Sequence, residues 1–188
     1  MHKHLVFILL FFLADMARSD IDQQKLKVEV NRVGNVYSLA VQFHSSLTQC
    51  AAYHYLTDYE AAKSLPGVIE SNSVRQSSDT VMVERVADEQ VLFLRVRLRS
   101  KMEYKELPIE GISFTQLSGD SKRFEGSWHI APHPQGSILR FRGFWEPDTV
   151  IPLFVIDHFA KNGLADRFGA IALLAEKNKA MLSKNCDN

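Results

Sequence analysis

The chain has 188 residues, a length typical of one domain, and its 46% hydrophobic and 23% charged content excludes wholesale disorder. Its 22 basic and 22 acidic residues cancel, which speaks against a general nucleic-acid binder. No internal repeat or low-complexity linker divides it.

Lys3 precedes a ten-residue apolar run, Leu5 to Ala14, and Ala17-Arg18-Ser19 then offers small residues at the −3 and −1 positions of a cleavage site. This layout predicts a secretory signal peptide over residues 1–19 and one domain over 20–188. The run is too short to span a bilayer. An uncleaved anchor is the competing reading. Export would place the mature chain in the periplasm or outside the cell, where disulfides are permissible.

Lys25–Arg32 and Val36–Phe43 both alternate around Gly34-Asn35, which predicts a hairpin or one long bent strand. Ser46-Leu47-Thr48-Gln49 has capping-box spacing and predicts a helix that starts there. Asp58 can cap a second short helix ended by Pro66-Gly67, so the chain bends at Thr57-Asp58.

Strand-like runs follow at Val68–Gln76, Val81–Ala87, Gln90–Arg99, Gly111–Leu117, Phe124–Ala131 and Ile138–Trp145. Asp88-Glu89, Ser118-Gly119-Asp120 and residues 132–136 are the expected turns. Leu92, Leu94, Val96 and Leu98 share one face of their run, with Arg95, Arg97 and Arg99 on the other. Phe124, Gly126, Trp128 and Ile130 oppose Glu125, Ser127 and His129, and Leu139, Phe141, Gly143 and Trp145 oppose Arg140 and Arg142. Such one-sided strands predict an antiparallel sheet covered on one face.

From Pro152 to about Leu182 the period becomes helical. Leu153, Ile156, Ala160, Leu164, Phe168, Ile171, Leu174, Ala175 and Leu182 gather on one face, and His158, Asn162, Asp166 and Glu176 lie opposite. An unbroken helix of that length would run about 45 Å, enough to cross a sheet.

The order of elements resembles the helix-grip α+β fold of the START-like superfamily of polyketide cyclases, lipid-transfer domains and coenzyme Q-binding proteins. Leu56-Thr57-Asp58-Tyr59-Glu60, Leu65-Pro66-Gly67-Val68 and Phe124-Glu125-Gly126-Ser127-Trp128 are similar to recurring stretches of its exported bacterial members. Pro147 followed by Ile151-Pro152-Leu153-Phe154 resembles their entry into the last helix. The resemblance covers roughly residues 25–182. It implies a curved antiparallel sheet gripping a long helix, two short helices bracing one end, and an apolar pocket between. It does not imply one activity.

On that geometry Cys50, opening the first short helix, and Cys186, beyond the last helix, can meet in a disulfide, with two free thiols as the alternative. Neither cysteine lies in the spacing of a zinc site, and His44, His54, His129, His133 and His158 form no metal-binding motif. No metal, cofactor or catalytic residue is therefore expected.

The expected pocket residues are Leu94, Val96, Leu98, Phe114, Trp128, Phe141, Trp145, Leu164, Phe168 and Ile171, with Arg167 inside the apolar stripe of the last helix. Arg167 has two readings: an anchor for a polar headgroup, or a structural side chain that snorkels to the rim or pairs with a carboxylate such as Asp157 or Glu110. The strand arginines Arg95, Arg97, Arg99, Arg140 and Arg142 are expected to pair across strands with Glu84 and Glu125, or to offer a basic face to lipid headgroups.

The first functional expectation is a non-catalytic binder or carrier of a hydrophobic small molecule, lipid- or quinone-like, with transient membrane contact. A cyclase or dehydratase acting on a polyketide-like substrate is the alternative. Against it stands the scarcity of polar inward positions, Gln116 being the exception. An interaction module whose own side chains fill the pocket is a third reading.

Overall fold

Alternation in β1 (Lys27–Val33) and β2 (Val36–Ser45) produces an antiparallel hairpin, paired from Lys27 with Gln42 to Val33 with Val36. Tyr37, Leu39, Val41 and Phe43 of β2 are buried in turn, as a half-covered strand requires. This computed structural model describes residues 26–91, 94–184 and 186, with the side chain of Leu94 outside that set. The expected signal peptide, residues 1–19, lies outside the described residues.

Helix α1 (Gln49–Thr57) starts two residues later than a cap at Ser46 predicts. Thr48 is the cap, its Oγ1 accepting from the Ala51 amide at 3.2 Å. Ser46 is held elsewhere, because its amide and hydroxyl donate to the Glu176 carboxylate, which also accepts from Ser45 Oγ at 2.6 Å. A charged acceptor from a distant helix displaces the weaker local cap. Glu176 is thus half-buried and turned toward β2, not outward as the helical wheel predicts.

Asp58 accepts from the Ala61 amide at 3.1 Å and starts a 3₁₀ turn, Ala61–Ser64, shorter than the predicted second helix. The turn is pinned from below. The Tyr59 hydroxyl donates to Glu106, which Arg75 also meets at 2.9 Å and 3.0 Å. Glu106 is 8% exposed, so this pairing is what makes its charge tolerable in the interior.

Six strands then run back across the sheet as a meander: β3 (Val68–Arg75), β4 (Thr80–Val91), β5 (Leu94–Leu107), β6 (Gly111–Gly119), β7 (Ser121–His133) and β8 (Gly136–Pro147). The order is β1-β2-β8-β7-β6-β5-β4-β3, antiparallel throughout. Register shifts at Val68/Glu70, Lys101/Met102 and Ser121/Arg123 add local twist, which bends the sheet.

Asp88-Glu89 is not the turn that its composition predicts. β4 runs through both residues, with Asp88 opposite Arg97 and Glu89 opposite Val96. Arg97 grips Asp88 with two hydrogen bonds, 2.8 Å and 3.0 Å, so the acidic pair acts as cross-strand partner. The other expected pairings also change hands. Glu84 meets Lys101, Glu125 meets Arg123, and Arg140 donates to Gln42.

The terminal helix α2 (Leu153–Lys177) lies in the concave face against β1, β2 and β4. It breaks at Asn178, a poor helix former, and continues as α3 (Lys179–Lys184) instead of running straight to Leu182. α3 packs against α1, which buries Leu182 and places Cys186 beside Cys50. No helix among the described residues is long and apolar enough to cross a membrane.

Candidate functional site: an aromatic cavity under the terminal helix

The floor of the site is built by a pair of glycines. Gly126 of β7 faces Gly143 of β8 across the ladder. A Cβ on Gly126 would stand 3.0 Å from the rings of both Phe114 and Phe141, and one on Gly143 would stand 2.7 Å from Phe141. The bare backbone lets those rings lie against the sheet, which is the physical content of the Phe-x-Gly-x-Trp stretch. Phe114 and Phe141 are stacked at 6.2 Å, Trp128 sits 5.2 Å from Phe141, and Phe168 of α2 closes on both Phe141 (5.2 Å) and Trp128 (5.8 Å).

These rings do not fill the space they enclose. A cavity of about 240 Å³ remains between the sheet and α2, many times what a single water needs. Of the residues expected there, Leu98, Phe114, Trp128, Phe141 and Trp145 from the sheet lie on its wall. Leu164, Arg167, Phe168 and Ile171 reach it from α2. Val96 packs against the core but not on this wall, and nothing is described of the Leu94 side chain.

Several wall residues escape the sequence patterns. Met102 and Tyr104 belong to the second half of β5, whose lysine and glutamate alternation hides an inward face. Arg85 and Glu89 matter more, because they put charge on the wall. The parity of β4 marks them: Val81, Val83, Arg85, Ala87, Glu89 and Val91 share one side, and the four apolar members of that set are buried. The turn expected at Asp88-Glu89 conceals that regularity.

Arg167 stands at the rim. It makes an ion pair with Glu89 and donates to the Pro66 carbonyl at 3.2 Å. The partner is neither Asp157 nor Glu110, since a long β4 carries Glu89 directly beneath this turn of α2. Gly67 makes the fit. Its φ is +80°, and a Cβ there would stand 2.6 Å from the Asp88 carbonyl and 3.2 Å from the guanidinium. At the sheet end of the cavity, Gln116 donates to the Ser121 carbonyl at 2.7 Å and Trp145 Nε1 donates to Ser121 Oγ at 3.0 Å.

Asp157 holds the start of α2 instead. It accepts from Arg32 at 2.7 Å and 3.0 Å and from the Tyr37 hydroxyl at 2.8 Å. The hydrogen bond from Arg32, then that from Tyr37, holds its carboxyl below the ordinary aspartate range. Burial first, and then the hydrogen bond to Asp157, pushes the Tyr37 phenol up to about 12. Further along α2, Tyr55 of α1 donates to the Ile171 carbonyl at 2.8 Å, and burial raises its phenol too. Both phenols therefore act as neutral donors that tie α2 down around the cavity.

Cys50 and Cys186 are bonded to each other, with Cα atoms 5.9 Å apart. The tie joins α1 to the end of the chain and encloses one end of the grip. His54 lies one helical turn beyond Cys50, and the ligand atoms of Cys50, His54 and Cys186 all fall within 4.8 Å of one another. Spacing along the chain points to no metal site, but Cys50-x-x-x-His54 becomes a cluster once the fold supplies Cys186.

An eight-stranded antiparallel sheet curved around a long C-terminal helix, with α1 and a 3₁₀ turn at one end, is the helix-grip architecture of START-like proteins. The family model described as polyketide cyclase / dehydrase and lipid transport matches residues 46–166, well over half of the chain. The chain belongs to that family. A search of curated protein sequences returns no match.

Among solved structures, a STAR-related lipid transfer protein from Xanthomonas axonopodis superposes with a TM-score of 0.68 at 12% identity, covering 80% of this chain and 93% of that one. TTHA0849 from Thermus thermophilus gives 0.67 at 16% identity, over 78% and 99%. The di-domain aromatase/cyclase BexL of the BE-7585A biosynthetic pathway gives 0.63 at 12% identity, over 77% of this chain and 50% of that protein. At these identities the likeness is one of fold.

Proposed function

We propose that the protein binds or carries a hydrophobic small molecule, lipid- or quinone-like, in the cavity beneath α2. The observation that carries this reading is the unfilled space of about 240 Å³ walled mainly by aliphatic and aromatic side chains. Each Å² of apolar ligand surface buried there contributes about 25 cal/mol. The aromatic floor takes the apolar body, and the few polar groups set its orientation. Arg167 and Glu89 at the rim, with Arg85 and Gln116 on the wall, suit a ligand with one polar end.

The test is native mass spectrometry of the purified chain, followed by extraction of what travels with it. A reproducible lipid or quinone supports carriage. A cavity that neither retains such a molecule nor takes up an added one overturns it.

A cyclase or dehydratase is the second reading. Arg85, Glu89 and Tyr104 on the wall favour it, because they are residue types able to move protons or stabilise an oxyanion. Turnover of an added polyketide-like chain, lost on Glu89→Gln, is the outcome that selects it.

Under the same proposal the protein works outside the cytoplasm after cleavage behind Ser19, meeting membranes transiently to load or unload. The basic start and apolar run of residues 3–14 support export, and the disulfide suits an oxidising compartment. N-terminal sequencing of the exported chain tests it, and an intact Met1 overturns it.

A further inference from the structure

We propose that the Cys50–Cys186 disulfide masks a binding site for a thiophilic metal ion of the zinc type, which opens when the bond is reduced and is completed by His54. The proposal is independent of the cavity. It rests on three residues from two parts of the fold. Cys50 and His54 stand four residues apart on α1, so both side chains project from the same face on successive turns. Cys186 arrives from the far end of the chain. Their Sγ and ring nitrogen atoms already lie within 4.8 Å of one another.

Two thiolates and one imidazole are a donor set for zinc and its softer relatives. Tetrahedral zinc bonds of about 2.3 Å to sulfur and about 2.0–2.1 Å to nitrogen separate the ligand atoms by about 3.5–3.8 Å. The nitrogen has at most about 1 Å to close, and the larger movement required is the parting of the two sulfurs. Cys186 lies beyond α3, which packs chiefly against α1 and α2, so such a movement disturbs little of the sheet. All three residues are half-buried, so the site is shielded yet reachable, and water can supply the fourth ligand.

A dithiol reductant gives two electrons and two protons, the S–S bond breaks, two thiols form, and the reductant closes its own disulfide. The cation then displaces both thiol protons as two sulfur–metal bonds form, and His54 donates a ring-nitrogen lone pair. The metal thereby restores the tie between α1 and the chain end that reduction has removed.

The test compares oxidised and reduced protein, the latter prepared anaerobically with a phosphine so that no added thiol competes. Cobalt(II) serves as the optical probe and zinc(II) as its competitor, with a chromophoric chelator to set the affinity scale. Reduced protein is expected to bind one ion with thiolate-to-cobalt charge-transfer absorption, and oxidised protein to bind none at the same concentration. His54→Asn keeps the disulfide, so its folding is checked in the oxidised state. Once reduced, it is expected to bind at least about tenfold more weakly.

Equal binding by oxidised and reduced protein overturns the proposal. So does an unchanged affinity in reduced His54→Asn. If reduction alone unfolds the chain, recovery of the native circular dichroism on adding zinc supports the site, and failure to recover at saturating zinc overturns it.

Discussion

Arg167 of α2 and Glu89 of β4 form an ion pair across the rim of the cavity, with side-chain exposures of 23% and 14%. Removing one partner leaves the other's charge partly buried. Arg167→Leu is expected to lower unfolding stability by about 1–3 kcal/mol. The double variant Arg167→Leu/Glu89→Leu should recover much of that loss. Urea denaturation of the parent, Arg167→Leu, Glu89→Leu and the double variant measures the coupling. If Arg167 also holds a ligand's polar end, Arg167→Leu weakens ligand binding at least about tenfold. Unchanged affinity would remove the anchor role.

Filling the cavity separates binding from stability. Leu98 lies on the wall and is only half-buried, so an indole can enter the empty space from that position. Leu98→Trp is expected to keep stability within about 1.5 kcal/mol of the parent while abolishing uptake of a lipid- or quinone-like probe. Retained uptake, read by native mass spectrometry, would place the ligand elsewhere.

Asp157 sets an acid sensitivity. Its folded-state pKa lies below its unfolded value of 3.8, chiefly through the hydrogen bond from Arg32. The unfolded chain therefore binds this proton more readily, and the stabilisation is complete well above pH 3.8 and lost as pH falls through the folded value. Asp157→Asn should remove that part of the acid dependence. Urea midpoints measured from pH 6 down to about pH 2 should converge for parent and variant at the acid end. Parallel curves would contradict the assignment.

The disulfide closes a separation of 136 residues. By loop closure alone, replacing both cysteines with alanine is expected to cost about 3–5 kcal/mol. Thermal and urea unfolding of Cys50→Ala/Cys186→Ala check the value, and a loss well below about 1 kcal/mol would mean that α3 docks without the bond.

How far the fold and the site are legible in the chain shows at particular residues. The inward faces of β7 and β8 are legible because Phe124 to Ile130 and Leu139 to Trp145 alternate, with Phe144 the one large apolar side chain turned outward, and a strand repeats every two residues. The α2 side of the cavity is legible for the same kind of reason, with Leu164, Phe168 and Ile171 at helical spacing. Glu89 and Arg85 are not, because polar residues on an apolar parity look like a turn or an outward face until their partners are known. The cap at Ser46 fails similarly, since Glu176, 130 residues away, takes both of its donors.

Local periodicity alone was enough to set the order of elements, the inward sides of β7 and β8 and the amphipathic stripe of the terminal helix, because none of these needs knowledge of distant partners. The assembled fold was required to establish that the rings stop short of filling the space, that Arg167 reaches Glu89, and that His54 lies beside the Cys50–Cys186 bond. Those outcomes depend on sheet curvature and on contacts between residues far apart in the chain, where geometry in space rather than spacing along the backbone sets which groups meet.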